Sequence, residues 1–540
     1  MHRSLRRIGV VVVGLGLCAT SACRRAPAVS TRAAVQPDLP AALQAVLRDK
    51  TIPSFVVRSA SGRHLWTATR EFYQKRAFDP VWRSAESAKH DADELIDALV
   101  HSDRDALDPA RYRAAEVIRL RQDLARNPTD QKDALRFALL DARLTYLYLQ
   151  YATDLTTGIT DARHRWKIPP MRFDGAAALS DALTRDCVGQ ALVELQQRDP
   201  DYAALRNALQ RYRTIAAHGG WPSLPPDIRL KPGARGAAVA LLAKRLSITG
   251  DYAGPGAPAS YDAPLQDAVK RFQQRHGLTP DGAIGRRTIQ ELNVPAAARV
   301  RQIALNMERW RWIPPRHGRR IVVNVPEYRL EVQDSSGVPL SMRVVVGKKD
   351  AQTPTFSGEM TYLVFAPFWN VPADIAEKET VPSLLKDAAF LQRTNMEIVD
   401  KRGRHVDPNN VDLSDPRGYR FRQRPGRTNS LGLVKFMFPN PYNVYLHDTP
   451  ADALFTRETR TFSHGCVRLE KPEKLAAYVL GGQPEWTEDR IREAMNGSEQ
   501  QTVRLRETIP VYITYFTARA SRDGGVMFFG DVYGRDGGAS

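Results

Sequence analysis

From about residue 40 to about residue 215, apolar side chains recur at mixed three- and four-residue intervals, as at Leu139, Leu140, Leu144, Leu147 and Leu149. That spacing predicts a succession of helices. The stretch has no cluster of ligands or nucleophiles, and a helical scaffold accounts for it. Trp221-Pro222-Ser223-Leu224-Pro225-Pro226 breaks the period and marks a boundary. Beyond it, Leu265, Ala268, Val269 and Phe272 sit on one helix face, and Asp281-Gly282 supplies a turn before a short helix ending near Leu292. Residues 229–293 therefore read as a compact unit. From about residue 320 the period falls to two: Ile321, Val323 and Val325, then Tyr328, Leu330 and Val332, a turn at Asp334-Ser335-Ser336-Gly337, then Met342, Val344 and Val346. This pattern predicts antiparallel sheet. More strands are expected at Tyr362–Phe365, Val434–Phe438 and Asn443–His447, and a helix from Pro472 to Leu480 should stop at Gly481-Gly482. A terminal hairpin is expected from Pro510–Thr517 and Val526–Val532 about a turn at Asp523-Gly524-Gly525. Residues from about 374 to 427 are polar and arginine-rich, and read as an insertion over the sheet. The fold class expected is multidomain α+β: a helical scaffold (41–228), the compact unit (229–293), a scaffold return (294–319) and a mainly antiparallel-β domain (320–535).

Composition narrows the partners. The 540 residues suffice for about three domains, and 35 Gly, 36 Pro and 26% charged residues fit neither a disordered nor a collagen-like chain. The net charge of +18 points to nucleic acid, an anionic membrane or an acidic polymer. The N-terminus bears on that choice. Arg3, Arg6 and Arg7 precede an uncharged run from Ile8 to Cys23, too short for the roughly 20 apolar residues of a spanning helix, and Arg24-Arg25 follows at once. Residues 1–22 are thus expected to be a secretory signal, followed by a Pro/Ala-rich tether over 23–40, and an exported chain has no use for nucleic acid. Thr20-Ser21-Ala22-Cys23 resembles a bacterial lipobox, in which the cysteine is lipidated, although Thr20 stands where leucine is usual. The alternative is an ordinary signal cleaved near Ala22.

Cys18 leaves with the signal, so Cys187 and Cys466 are the cysteines of the folded part, too few for a disulfide framework. Cys187, in a helical stretch with Ala182 and Leu183, reads as a small buried apolar residue. Cys466 has different neighbours, Ser463-His464-Gly465-Cys466-Val467-Arg468, and His447 lies upstream at the end of a strand. A thiol of pKa about 8.5 becomes a useful nucleophile as thiolate, which a neighbouring imidazolium or backbone N–H groups can favour. Gly465 would let the backbone bend to aim N–H groups at one spot, and Arg468 would meet a carboxylate. Three readings remain open on residue types: a buried cysteine with a core histidine, a zinc site from His447, His464 and Cys466, and Cys/His catalysis. No nucleotide-binding loop and no convincing metal motif is present, so no cofactor is expected.

The string from His447 to Arg468 resembles the signature of the L,D-transpeptidase (YkuD) catalytic domain. Asn306-Met307-Glu308-Arg309-Trp310-Arg311-Trp312, Trp369-Asn370-Val371-Pro372, Lys378-Glu379, Gly432, Phe438-Pro439-Asn440 and Tyr445-Leu446-His447-Asp448-Thr449-Pro450 resemble the large Gram-negative YcbB-type subfamily. Lys231-Pro232-Gly233-Ala234-Arg235-Gly236, with Phe272-Gln273, Gly277, Asp281-Gly282, Gly285 and Thr288, resembles a small three-helix peptidoglycan-binding domain. The resemblance implies a capped YkuD domain in which Cys466 is the nucleophile and His447 the proton acceptor and donor, oriented by a carbonyl such as that of Asp448. The N–H groups of His464, Gly465 and Cys466 would hold the oxyanion, with His464 shaping the site. Ser463, Arg468, Tyr445, Trp369 and Asn370 would contact substrate. Arg417, Arg420, Arg422, Arg424 and Arg427 would help the insertion close over it, or else form a solvated basic face. The substrate implied is the peptide stem of peptidoglycan, other cell-wall enzymes are candidate partners, and the compartment is the periplasm of a Gram-negative bacterium, with Cys23 as a candidate outer-membrane lipid anchor.

Overall fold

The computed structural model describes residues 38–82, 86–126, 131–159, 166–169, 171–196, 200–254, 258–314, 318–387, 389–413, 418–521 and 524–537. The expected export segment, Cys23, most of the tether, Arg417 and Asp523 lie outside the described residues. The chain divides into two compact units.

The described residues of the first unit, from 38 to 101, 109 to 152 and 174 to 194, are mainly helical. Its helices are Leu39–Arg48, Ala60–Lys75, Glu86–Val100, Ala114–Arg126, Gly175–Thr184 and most of Gln131–Thr157 and Val188–Gln196. Asp38, Ser59 and Asp174 accept the backbone N–H of Ala41, Gly62 and Ala177, pairing first-turn donors that a helix cannot pair itself. Inside, Asp141 accepts from the N–H groups of Val81 and Trp82 and from the Tyr73 hydroxyl, and burial lifts its carboxyl above the usual range. Cys187 is buried and forms no disulfide among the described residues, as expected of a small apolar residue.

The second unit (102–108, 153–173 and 195–540) holds the remainder. Its helix Pro200–Ala217 packs along Ala296–Arg311. The latter helix turns polar residues inward: Asn306 is completely buried and exchanges hydrogen bonds with Thr517, and Glu308 accepts from Arg311, from the Trp312 indole and from the Ile159 N–H. The motif from Asn306 to Trp312 thus fastens a helix to the β domain.

Between these helices Ala237–Ile248, Ala263–Arg275 and Arg286–Leu292 surround a small core in which Leu265, Ala268, Val269 and Phe272 are fully buried. The neighbouring Gln273 has a different task. Its amide nitrogen donates to Asp281 Oδ1 at 2.8 Å and the Ala283 carbonyl at 3.0 Å, and its amide oxygen accepts the Gly282 N–H at 2.8 Å. Gly282 sits at φ +74°, and a Cβ there would approach Gln266 Cγ to 2.6 Å, which explains the glycine. The Phe-Gln and Asp-Gly pairs hold this bundle together.

The strands among the described residues are, in chain order, β1 Trp166–Lys167, β2 Arg320–Asn324, β3 Arg329–Asp334, β4 Gly337–Gly347, β5 Thr355–Phe365, β6 Trp369–Asn370, β7 Met396–Asp400, β8 His405–Val406, β9 Tyr419–Gln423, β10 Val434–Met437, β11 Leu446–His447, β12 Thr461–Ser463, β13 Val467–Leu469, β14 Gln501–Thr514, β15 Ala518–Ala520 and β16 Val526–Phe528. The main sheet follows the order β1-β5-β10-β11-β13-β4-β3-β2-β14, with β12 on β4, and closes because β14 also pairs with β5. Most neighbours are antiparallel; β1 on β5, β11 on β13, β12 on β4 and β14 on β2 are parallel. The period-two residues Ile321, Val323, Leu330, Val332, Met342, Val344 and Val346 all enter one core, covered by the helix Pro472–Leu480 through Leu475, Ala476 and Val479.

Two strand expectations need correction. β14 begins at Gln501 and runs through Pro510, beside a register shift between Arg504 and Ile509 where a residue without an N–H is tolerated, so the terminal hairpin is only β15 with β16. Glu507 interrupts the alternation of Val503, Leu505, Ile509, Val511 and Ile513, and Pro510 reads against a strand running through it. Of Asn443–His447 only Leu446 and His447 are strand, because Asn443 turns the chain at φ +53°. The insertion is a folded body of its own: β6, β9, β7 and β8 form a separate sheet over a core including Val371, Ile375, Leu384, Ile398 and Phe421.

Candidate active site

β12 runs parallel to β4 and β13 antiparallel to it, so the chain must reverse between Ser463 and Val467. Gly465 makes the reversal at φ +116°, a conformation that side chains disfavour. A polar brace fixes it from behind. Thr353, fully buried, donates its hydroxyl to the Gly465 carbonyl at 2.8 Å and accepts the Gly347 N–H at 2.9 Å. The Tyr533 hydroxyl accepts the Thr353 N–H at 3.2 Å and donates to the Gly347 carbonyl at 2.7 Å. Ser463 locks the loop from within, donating Oγ–H to the Cys466 carbonyl at 2.5 Å and accepting the Gly465 N–H at 3.1 Å.

These bonds correct two expectations. Ser463 is buried with its hydroxyl engaged inside the loop, and is therefore a brace in place of a substrate contact. The Gly465 N–H has its acceptor in Ser463, so it is not an oxyanion donor in this arrangement. The N–H groups of His464 and Cys466 have no acceptor among the described residues and remain as the candidate pair.

The register brings the two principal residues to adjacent strands: His447 on β11 stands opposite Arg468 on β13, directly after the Cys466 loop. His447 is 4% exposed, and its Nδ1 lies 2.5 Å from the Asp448 carbonyl oxygen. A carbonyl only accepts, so the proton of the neutral ring is on Nδ1 and the lone pair on Nε2. Burial first, then the nearby Arg468 cation, pushes the imidazole down to about 3. It is neutral at neutral pH. Cys466 is half-buried; burial raises its thiol above the ordinary range, against the opposing pull of Tyr445 and Arg468. The thiol contacts the Asn443 carbonyl at 3.7 Å and the Tyr445 hydroxyl, and no hydrogen bond joins it to His447 among the described residues. Of the two aids to thiolate formation considered from sequence, a neighbouring imidazolium or backbone N–H groups, the first is not supplied by His447 at neutral pH. Both groups rest neutral because both are desolvated, and proton transfer has to accompany attack.

Tyr445 is half-buried, its ring centroid 5.6 Å from that of His447. Arg468 is half-buried beside Cys466, and its Nε is buried without a partner among the described residues. His464 faces outward, donating Nε2–H to Glu379 of the insertion at 2.8 Å. Trp369 and Asn370 form β6 in the insertion sheet, where Trp369 packs on the insertion core and Asn370 is exposed. Of the arginines, Arg422 and Arg424 pair with the buried Glu397, Arg420 reaches the Asp400 and Lys401 carbonyls, and Arg427 reaches Asn496. The first two are neutralised within the insertion.

Thr353, Tyr533, Asn443 and Glu379 had not been expected at the site. Each acts through bonds to residues distant in sequence, and a lone polar residue in a loop carries no periodic signal. Gly432 is explained by the site: at φ +61°, a Cβ on it would fall 2.4 Å from Asp448 Cγ, whose carboxylate accepts the N–H groups of Leu433 and Thr449.

Residues 318–503 match the family model YkuD, described as the L,D-transpeptidase catalytic domain. The chain carries a YkuD domain. Residues 67–209 match the model described as "Scaffold domain" and residues 235–292 that described as "Putative peptidoglycan binding domain". A Haemophilus influenzae protein named "Putative L,D-transpeptidase" is 33% identical over 267 residues, 48% of this chain and 54% of that one, so the chain spans about half the length of the curated relative it matches. Among solved structures, an L,D-transpeptidase from Stackebrandtia nassauensis is 15% identical over 54% of this chain and 96% of its own, with a TM-score of 0.22. One from Xylanimonas cellulosilytica is 16% identical over 54% of this chain and 98% of its own, with a TM-score of 0.17. The YkuD span contains His447, the Cys466 loop and the whole insertion.

Proposed function

We propose that the YkuD domain is a cysteine acyltransferase that crosslinks peptidoglycan stems. His447 Nε2 takes the Cys466 proton as Sγ attacks the carbonyl of diaminopimelate in a tetrapeptide stem, and the oxyanion lies on the N–H groups of His464 and Cys466. The C–N bond to D-Ala then breaks, the amine leaves with the proton from His447, and a thioester remains. An amine of a second stem attacks that thioester, gives its proton to His447, and frees the thiol as the new amide forms. The observation that carries the reading is the loop itself: a left-handed Gly465 beside a thiol, two N–H groups without acceptors among the described residues, and a buried neutral imidazole on the paired strand. The periplasm as compartment and Cys23 as a lipid anchor belong to the same proposal, and the mass of the mature N-terminal peptide tests the latter.

Purified protein incubated with tetrapeptide muropeptides, with products weighed by mass spectrometry, decides the activity. Crosslinked dimer is expected, and Cys466→Ala should form none. Tripeptide without dimer would make the protein an L,D-carboxypeptidase, and unchanged substrate would leave a noncatalytic wall-binding protein.

A further inference from the structure

A cavity of about 1150 Å³ lies outside the site built around the thiol. One wall comes from residues 277–280 and Arg287 of the small helical bundle; the others come from β3, β4, residues 455–461 and the β15–β16 hairpin. Neither Cys466 nor His447 lines it. Its volume exceeds the roughly 300–1,000 Å³ of ordinary small-molecule sites, which suits a segment of polymer.

Its charges do not balance. The carboxylates on its wall are engaged: Arg519 holds Asp201, Glu327 and Glu331, Arg299 holds Glu291, Arg287 holds Glu458, and Asp531 accepts from the Tyr515 hydroxyl. Lys349, Arg457 and Arg460 line the same space with no carboxylate partner among the described residues. Lys349 and Arg457 are exposed. Arg460 is half-buried and donates only to neutral carbonyls, those of Val344 at 3.2 Å, Arg457 at 2.7 Å and Tyr328 at 3.2 Å among them. Burial, reinforced by the nearby Arg343, lowers its guanidinium to about 10, so it is still a cation at neutral pH and is incompletely compensated. Tyr328, whose ring centroid is 5.0 Å from the Arg460 guanidinium carbon, is held at φ +54° and is 7% exposed; the Arg460 N–H lies near its buried hydroxyl oxygen, and the hydroxyl proton has no acceptor among the described residues. Buried hydroxyls are ordinarily bonded, and a tyrosine in the left-handed region is strained. A desolvated cation beside an unpartnered donor, with two further cations at the rim, is a receptor for a carboxylate.

We infer that this cavity binds a carboxylate-bearing peptide stem of peptidoglycan other than the one acylated at Cys466, with Arg460 and the Tyr328 hydroxyl on its carboxylate and Lys349 and Arg457 at the rim. The identity of the ligand rests on the proposed peptidoglycan activity. Thr461, on the cavity wall, opens β12, and β12 leads directly into the Cys466 loop, so the cavity and the thiol loop are joined by one short strand. The bundle wall then acts together with the YkuD domain on one polymer.

The test uses the full chain carrying Cys466→Ala, which cannot turn over, and a disaccharide-tetrapeptide as probe. Adding Lys349→Gln and Arg457→Gln, both at exposed positions, should weaken calorimetric binding at least about tenfold, the scale of one or two charge-assisted bonds. Amidating the stem carboxylates should weaken binding to unsubstituted Cys466→Ala protein to a similar degree, and the peptide-free disaccharide should bind no better than the amidated probe. Undiminished affinity in the substituted protein, or equal binding of the peptide-free glycan, overturns the assignment. In protein with its native thiol, iodoacetamide should alkylate Cys466 equally fast with and without the two rim substitutions; a slowed rate would mean that they disturb the active site and would also count against it. Binding that follows these expectations without acyl transfer would refute the proposed activity and leave the cavity assignment standing.

Discussion

At the residue scale, chemistry at this site is set by desolvation. A surface cysteine beside a protonated histidine would be a thiolate at neutral pH; here burial holds Cys466 as thiol and His447 as neutral imidazole. Two outcomes follow. Alkylation of Cys466 should keep accelerating as pH rises past 9, since the thiol is displaced above the ordinary range of about 8.5; a rate already level by pH 7 would contradict it. The acid limb of kcat/KM should fall well below pH 5, because His447 remains an unprotonated acceptor until pH approaches about 3. Substitution separates the two histidines. His447→Ala should lower kcat by about 10²–10⁴, the usual contribution of a general base, whereas His464→Ala, which removes outward contacts to Glu379 and Lys348, should leave most activity. Steady-state kinetics with the reverse order would reassign the base.

At the element scale, the loop and the insertion are shaped by pairings distant in sequence. The reversal at Gly465 follows from opposite strand directions on β4, and Thr353 and Tyr533 hold it from elsewhere in the fold. The insertion depends on Glu397, buried on β7 and clamped by Arg422 and Arg424 of and after β9. Glu397→Ala should cost the insertion about 1.5–3 kcal/mol, the worth of bonds to a charged group. Hydrogen exchange should therefore quicken in β7 and β9 while β2–β5 keep their protection, and uniform quickening would mean that the insertion is not a separate cooperative body. The arginine-rich composition was legible in the sequence, but which arginines would be neutralised was not. That required Glu397 to come opposite Arg422 in the β7–β9 register.

At the scale of the whole molecule, the helix Ala296–Arg311 fastens the YkuD domain to its helical neighbours through buried polar groups. Glu308→Ala would leave Arg311 buried beside fewer acceptors, and loss of one partner of a buried pair costs about 3–5 kcal/mol. A melting temperature lowered by several degrees is expected, and an unchanged one would show that the cluster does not couple these elements.

The sequence by itself determined what depends on neighbours along the chain. The period-two runs of β2, β3 and β4, the face of Leu265 to Phe272, and the helix opening at Pro472 are local patterns that burial enforces, and His447 and Cys466 stand out because their chemistry is carried by residue type and motif. Tertiary structure decided what depends on residues distant in sequence: the strand through Pro510, the engagement of Ser463 and the Gly465 N–H, the neutral resting state of thiol and imidazole, and the cation-lined cavity with Tyr328. Hydrogen-bond partners, desolvation and uncompensated charge are properties of a three-dimensional neighbourhood, and no spacing along the chain encodes them.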